Sequence, residues 1–255
     1  MIADFHNDIL TVKPIENELD NLSDGVLALY KGTRDFQTLF SLAHNYTGHF
    51  FLAFEDIGGI SDRELERLIS FRPQYVTLTW NYENDLAYGC LASGRLKKRG
   101  KEVIQKLTQH DIYIDTAHLC RKSFFDVCDQ TDLLVNSHTA FSDVHFHFRN
   151  IDDEQIKLLF NLGATIGITF VSSFLTEKQA SAADVIRHAD HYVQKFGCVG
   201  LSIGSDFFGT DNLPIDLFNY KNWGNLVENF LKIGYNIEVI NQILYHNLKK
   251  FLYRS

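Results

Sequence analysis

Eight short apolar runs, starting roughly 20 to 37 residues apart, constrain this chain more than any other feature. They are Ile2–Phe5, Gly25–Tyr30, His49–Phe54, Tyr75–Thr79, Ile112–Asp115, Leu133–Asn136, Thr165–Phe170 and Val199–Gly204. Most are apolar throughout rather than alternating, the pattern of parallel strands buried on both faces. Helical periodicity fills most of the gaps. Arg34–His44 puts Phe36, Leu39, Phe40 and Ala43 on one face. Ser61-Asp62-Arg63-Glu64 is a capping box ahead of Leu65, Leu68 and Ile69. Lys97–Gln109 carries Val103, Ile104 and Leu107. Asp152–Leu162 opens on acids, Ser181–Phe196 stops at Gly197, and Ile237–Phe251 closes the chain. Thr11–Asp24 shows no clear helix. Eight βα units predict a (β/α)₈ TIM barrel, one catalytic domain over residues 1–255. An open doubly wound sheet is the competing arrangement, but no Gly-rich phosphate loop follows any run.

Composition narrows the function. With 45% hydrophobic and 22% charged residues, the chain can bury a sizeable core. Its net charge of −8 and lack of a basic run argue against nucleic acid. Cys90, Cys120, Cys128 and Cys198 stand apart with no CxxC pair, which fits free thiols in a reducing cytoplasm. No basic-then-apolar leader precedes Ile2 and no run approaches a membrane span, so the expected location is cytoplasmic, without a membrane partner.

The residues just past the runs carry the chemistry. His6 and Asp8 follow the first run, and their spacing of two puts both on one side of an extended backbone. Glu55 follows the third, His118 the fifth, His138 the sixth and Asp206 the eighth. In a barrel these ends share one face. Three histidines and two carboxylates exceed the needs of one tetrahedral zinc with an open position. They suit two ions about 4 Å apart, with Glu55 as the bridge because a carboxylate has two oxygens. Two cations acidify a shared water toward hydroxide near neutral pH, and Asp206 accepts and passes on its proton. His44, His49, His110, His188, His191 and His246 fall on helix or loop patterns. His145 and His147 lie nearer, in the segment that leads to Arg149-Asn150. Arg149 reads either as a surface ion pair or as a bidentate grip on a substrate carboxylate.

Asp4-Phe5-His6-Asn7-Asp8, Leu78-Thr79-Trp80-Asn81, Asp115-Thr116-Ala117-His118, Asn136-Ser137-His138, Arg149-Asn150-Ile151 and Gly204-Ser205-Asp206-Phe207 come in a telling order. In that order the chain resembles the membrane (renal) dipeptidase family of zinc peptidases. The resemblance implies an amidohydrolase-type barrel with two Zn²⁺, other divalent metals being admissible. It implies His6, Asp8 and Glu55 on one ion and Glu55, His118 and His138 on the other. It further implies Asp206 as the proton-handling acid and Arg149 as the anchor for a C-terminal carboxylate, with Trp80, Asn81 and Val171 in the substrate pocket. Three positions depart from the family pattern: Trp80 stands where histidine is frequent, Val171 where tyrosine is frequent, and Phe208 where aspartate is usual. Only 46 residues separate Asp8 from Glu55, fewer than in typical members.

The expected activity is hydrolysis of a dipeptide or related short amide by a metal-bridged hydroxide, with the oxyanion held by zinc. The rivals are a non-peptide amidohydrolase or phosphoesterase using the same metals, and a catalytically silent relative serving as a binding protein. The expected partners are a small peptide substrate and, as an assembly left open, a second copy in a homodimer.

Overall fold

The computed structural model describes residues 1–12 and 18–254. Eight strands form one parallel sheet whose neighbours follow chain order. They are β1 (Ala3–Asn7), β2 (Asp24–Tyr30), β3 (Phe51–Glu55), β4 (Tyr75–Thr77), β5 (Tyr113–Asp115), β6 (Leu134–Thr139), β7 (Thr165–Ile168) and β8 (Leu201–Ile203). The chain returns to its start at β8: Asp206 N donates to His6 O (3.0 Å) and Asp8 N to Phe207 O (2.9 Å). The sheet is thus a (β/α)₈ barrel, as the run spacing predicts.

Contacts group residues 1–26 with 137–255 in one compact unit, and residues 27–136 in another. Within the second, β3 to β6 pair in register, with Phe54 opposite Val76, Val76 opposite Ile114, and Ile114 opposite Leu134. Within the first, Ile166, Gly167 and Ile168 pair with Leu201, Ser202 and Ile203. Gly167 and Gly204 both abut the Ser137 carbonyl so closely that a Cβ on either would collide with it.

Helix signals in the sequence hold locally. Helix α1 (Ile9–Val12) is one turn long. Part of the stretch read as non-helical, Thr11–Asp24, lies outside the described residues. Helix α2 (Phe36–Asn45) is capped by Asp35, whose side chain accepts from Thr38 N, and buries the four residues read as its inner face. Helix α3 (Asp62–Ser70) has the Ser61–Glu64 capping box and buries Leu65 and Leu68, with Ile69 half-buried. Helix α4 (Lys98–Thr108) buries Val103, Ile104 and Leu107. Helix α5 (Arg121–Cys128) leaves little mark in the sequence, because it is only 8 residues long and no side chain caps it. Asp152 caps α6 (Asp153–Asn161) reciprocally with Gln155. Helix α7 (Ser172–Leu175) is a single turn, and α8 (Ala182–Phe196) ends at Gly197, whose φ of 76° favours glycine. A 3₁₀ turn at Tyr220–Trp223 leads into α9 (Gly224–Lys232).

The closing segment is helical from Ile237 to Leu252, as the sequence predicts, but it is not α-helical throughout. It is α10 (Ile237–Asn241), a π turn over Gln242–His246, and α11 (Asn247–Leu252). The reason is Asn247. Its Nδ2 donates to Cys198 O (2.6 Å) and Leu201 O (2.7 Å), and its Oδ1 accepts from Gln242 Nε2 (2.5 Å). The wider turn accommodates a side chain that satisfies carbonyls at the start of β8.

Asn247→Ala should therefore lower the free energy of unfolding by roughly 1–3 kcal/mol, the cost of leaving buried carbonyls unpaired. A urea midpoint unchanged from wild type would show that water takes over both bonds.

Candidate metal centre

The strands carry their polar ends further than the apolar runs suggest. His6 lies inside β1, Glu55 is the last residue of β3, and His138 lies inside β6. Asp8, His118 and Asp206 come after their strands, as expected. Side-chain polarity does not end a strand whose backbone still has partners, and the β1 backbone keeps its bonds to the segment after β8.

In the first unit, His6, His138 and Asp206 each offer a ligand atom, all within 4.8 Å of one another. The His6 and His138 ring centroids lie 3.9 Å apart, with the planes tilted by 32°. Ser137 Oγ lies 2.7 Å from His138 Nδ1 and 3.4 Å from His6 Nδ1. With both Nδ1 atoms turned to one hydroxyl, Nε2 is the atom each ring could offer to a cation. His6 Nε2 is 3.4 Å from Asp8 Oδ2 and 4.0 Å from Asp206 Oδ1. A neutral imidazole lone pair turned toward two carboxylates is favourable with a cation among them, so this donor set fits a divalent metal. Gly209 makes the approach possible, because a Cβ there would run into both Asp8 Oδ2 and Asp206 Oδ1.

Asp4 holds this cluster from below. Fully buried, it accepts from Ser205 N (2.8 Å), Ser205 Oγ (2.5 Å), Tyr220 OH (2.6 Å) and His6 N (3.3 Å). Burial pushes its carboxyl up, against the pull of these donors. Ser205 Oγ also accepts from Phe207 N (3.1 Å), bracing a turn in which Asp206 has φ 62° and Phe208 φ 68°. Such left-handed non-glycine residues persist where their surroundings over-determine them.

In the second unit, Glu55 Oε1 lies 3.1 Å from His118 Nε2, and both side chains are buried. Asn81 Oδ1 lies 2.8 Å from His118 Nδ1, so the amide oxygen fixes the ring with Nε2 toward Glu55. His118 is left-handed, with φ 68°, and its carbonyl accepts from Cys90 N (2.7 Å). Trp80, on the segment after β4, has its ring centroid 6.3 Å from that of His118.

Arg149 is buried, at 5% exposure, so it is not a surface ion pair. Its Nη2 donates to His138 O (2.9 Å), and its guanidinium lies 5.6 Å from the Phe174 ring centroid. Val171 is buried at the start of α7, where its N donates to Thr169 Oγ1 (3.2 Å).

Residues 59–254 match the membrane dipeptidase family, peptidase family M19. The chain belongs to that family. Membership makes it a peptide-bond hydrolase of the dipeptidase type. A Klebsiella pneumoniae sequence described as an uncharacterized protein in the pqqA 5′ region is 24% identical over 214 residues, spanning 78% of this chain and 79% of the relative. Among solved structures, a metallopeptidase described as dipeptidase AC is 19% identical with a TM-score of 0.85, covering 100% of this chain and 98% of the other. A Rhodobacter sphaeroides metallopeptidase, solved with a phosphinate mimic of L-Ala-D-Ala, is 17% identical with a TM-score of 0.84, covering 100% and 99%. At these identities the structural likenesses bear on the barrel of this dipeptidase family member. Among the described residues, no helix is long and apolar enough to cross a membrane.

The sequence reading missed Asp4, Ser137, Ser205, Gly209 and Tyr220. Asp4 had a signal, since Asp4-x-His6-x-Asp8 continues the alternation of two inward. Ser137 and Ser205 each stand beside a residue already singled out, but serine there is unremarkable in sequence. Tyr220 meets Asp4 across 216 residues, and no local pattern marks it.

His188 has the structural role read from its helical position. Its Nδ1 accepts from Phe141 N (3.0 Å), and its Nε2 faces Leu175 O at 3.1 Å. Burial pushes it down to about 4. Above roughly pH 6.5 the ring is neutral in both folded and unfolded chains, so its stabilisation is fully present. As pH falls toward 4 the unfolded chain takes up the proton first, and about 3 kcal/mol is lost. Urea unfolding of metal-free protein should show this loss, and His188→Gln should flatten it. Identical pH slopes in the two proteins would contradict the assignment.

Proposed function

We propose that this chain is a two-zinc dipeptidase, acting as one catalytic domain over residues 1–255. In this reading His6, Asp8 and Glu55 hold one ion, and Glu55, His118 and His138 hold the other. The observation that carries it is the donor chemistry at the strand ends. Buried His6 and His118 meet Ser137 Oγ and Asn81 Oδ1 on their Nδ1 sides, and each turns Nε2 toward a carboxylate. A closed parallel barrel supports bringing these ends to one face.

When bound, the divalent ions acidify water and polarise a carbonyl oxygen. The chain's own groups do the rest. Asp206 accepts the proton of the attacking water and delivers it to the leaving amine, and its braced turn keeps the carboxylate in place. Arg149 grips the substrate's C-terminal carboxylate, which sets the peptide's register. Asn81 acts through His118, whose ring it orients. Trp80 and Val171 shape the pocket: the indole offers a flat face and one N–H donor, and valine offers no hydroxyl. The four free thiols support a reducing, cytoplasmic setting, and a homodimer remains the assembly to be looked for.

Zinc-loaded protein should hydrolyse members of a dipeptide panel and leave phosphoesters intact, and chelation should abolish turnover reversibly. Phosphoester turnover would favour the rival esterase, and silence on both panels the binding protein. Arg149→Ala should raise KM for a free dipeptide by about tenfold to a hundredfold, the scale of a charge-assisted pair at roughly 1.5–3 kcal/mol. It should treat an amidated dipeptide much as wild type does. Equal losses on both substrates would mean that Arg149 only supports the His138 carbonyl.

A further inference from the structure

The segment after β4 holds two large aromatic rings at the surface, and it holds them stiffly. Trp80 is 36% exposed and Tyr82 61%. The Trp80 ring lies 5.7 Å from that of Tyr30, at the end of β2, and 6.0 Å from that of Tyr82. With His118 at 6.3 Å, the three rings stand as a wall beside a proposed metal ligand.

The backbone beneath them is pinned at many points. Gly89 N donates to Tyr82 O (3.0 Å), Leu91 N to Asn81 O (2.8 Å), and Cys90 N to His118 O (2.7 Å). A Cβ at Gly89 would run into the Trp80 carbonyl oxygen and the Asn81 backbone, so the two segments touch directly. Asn84 ties the base of the loop, donating to Leu78 O (2.8 Å) and accepting from Leu86 N (2.8 Å) and Ala87 N (3.1 Å). Lys97 Nζ closes it on Asn84 O (2.6 Å) and Glu83 Oε1 (2.5 Å).

Exposed aromatic surface gains free energy when covered, at about 25 cal/mol per Å². Rings already fixed in place lose little conformational freedom when a flat partner stacks on them. The two acids of the loop already have partners. Glu83 is engaged by Lys97, and Asp85 Oδ1 accepts from Gly59 N (2.7 Å). Lys97 Nζ also sits 4.7 Å from the Tyr88 ring centroid.

We propose that Tyr30, Trp80 and Tyr82 form a stacking wall for an aromatic side chain of the substrate. The enzyme is then selective for dipeptides containing Phe, Tyr or Trp. This inference rests on the dipeptidase reading above, because it needs a peptide beside His118.

The test compares kcat/KM for Phe-Ala, Ala-Phe, Lys-Ala and Ala-Ala in zinc-loaded wild type, Trp80→Ala, Trp80→Phe and Tyr82→Ala. Wild type should favour an aromatic residue over alanine by about tenfold at one of the two positions, the scale of an aromatic pair. That ratio should fall toward one in Trp80→Ala, fall partly in Tyr82→Ala, and survive largely in Trp80→Phe. A wild-type ratio near one, a ratio unchanged in both alanine variants, or a preference for Lys-Ala overturns the proposal while leaving the dipeptidase reading intact.

Should no dipeptide be hydrolysed, that reading fails, and binding decides the wall separately. The chain has two tryptophans, so Trp223→Phe leaves Trp80 as the reporter. A phosphinate analogue of Phe-Ala should change its emission at about tenfold lower concentration than the analogue of Ala-Ala. Coincident titrations overturn the wall.

Discussion

The Asp4 carboxylate ties the first strand of the barrel to the segment that follows the last. It is fully buried and takes four donors, one from β1 and three from Ser205 and Tyr220. A buried carboxylate is tolerable only when satisfied in this way, so the bonds cannot be surrendered one at a time without a large cost. Two consequences reach the site. His6 stands two residues beyond Asp4 on the same strand, and Asp206 stands one residue beyond Ser205. The seam that closes the barrel therefore also sets the spacing between a proposed metal ligand and the proposed proton carrier. The left-handed turn at Asp206 and Phe208 and the bare Gly209 make sense as parts of one device that brings Asp8 and Asp206 together.

Much of this was legible in the sequence because it is local. Apolar runs of strand length, the capping box at Ser61, the acidic opening at Asp152 and a glycine stop at Gly197 are decided by neighbours in the chain. The histidines and carboxylates were legible for a different reason: few such residues follow apolar runs unless chemistry requires them. What escaped depends on distant partners. Tyr220 matters through Asp4, and Asn247 through the start of β8, and that second contact turns an expected continuous helix into one with a π turn. Helix α9 escaped because it fills a stretch with no strand after it to mark its end. β1 and β6 run past their apolar stretches because backbone pairing, rather than side-chain polarity, decides where a strand stops.

Both units use the same physical arrangement. An uncharged side chain, Ser137 beside His6 in one and Asn81 beside His118 in the other, takes the Nδ1 side of an imidazole whose Nε2 is turned toward a carboxylate. That fixes the ring angle before any ion arrives, which reduces the reorganisation that binding would otherwise require. The loop that carries Asn81 also carries Trp80, so the orientation of a proposed metal ligand and the shape of the proposed substrate wall are linked through one piece of backbone.

Anomalous scattering at the zinc edge, measured on crystals grown with zinc, tests the central claim most directly. The account predicts two peaks separated by about 4 Å or less, with Glu55 between them. One should lie beside His6 and Asp8 and the other beside His118 and His138. A single peak, or two peaks elsewhere on the chain, would contradict the two-metal centre on which the proposed chemistry depends.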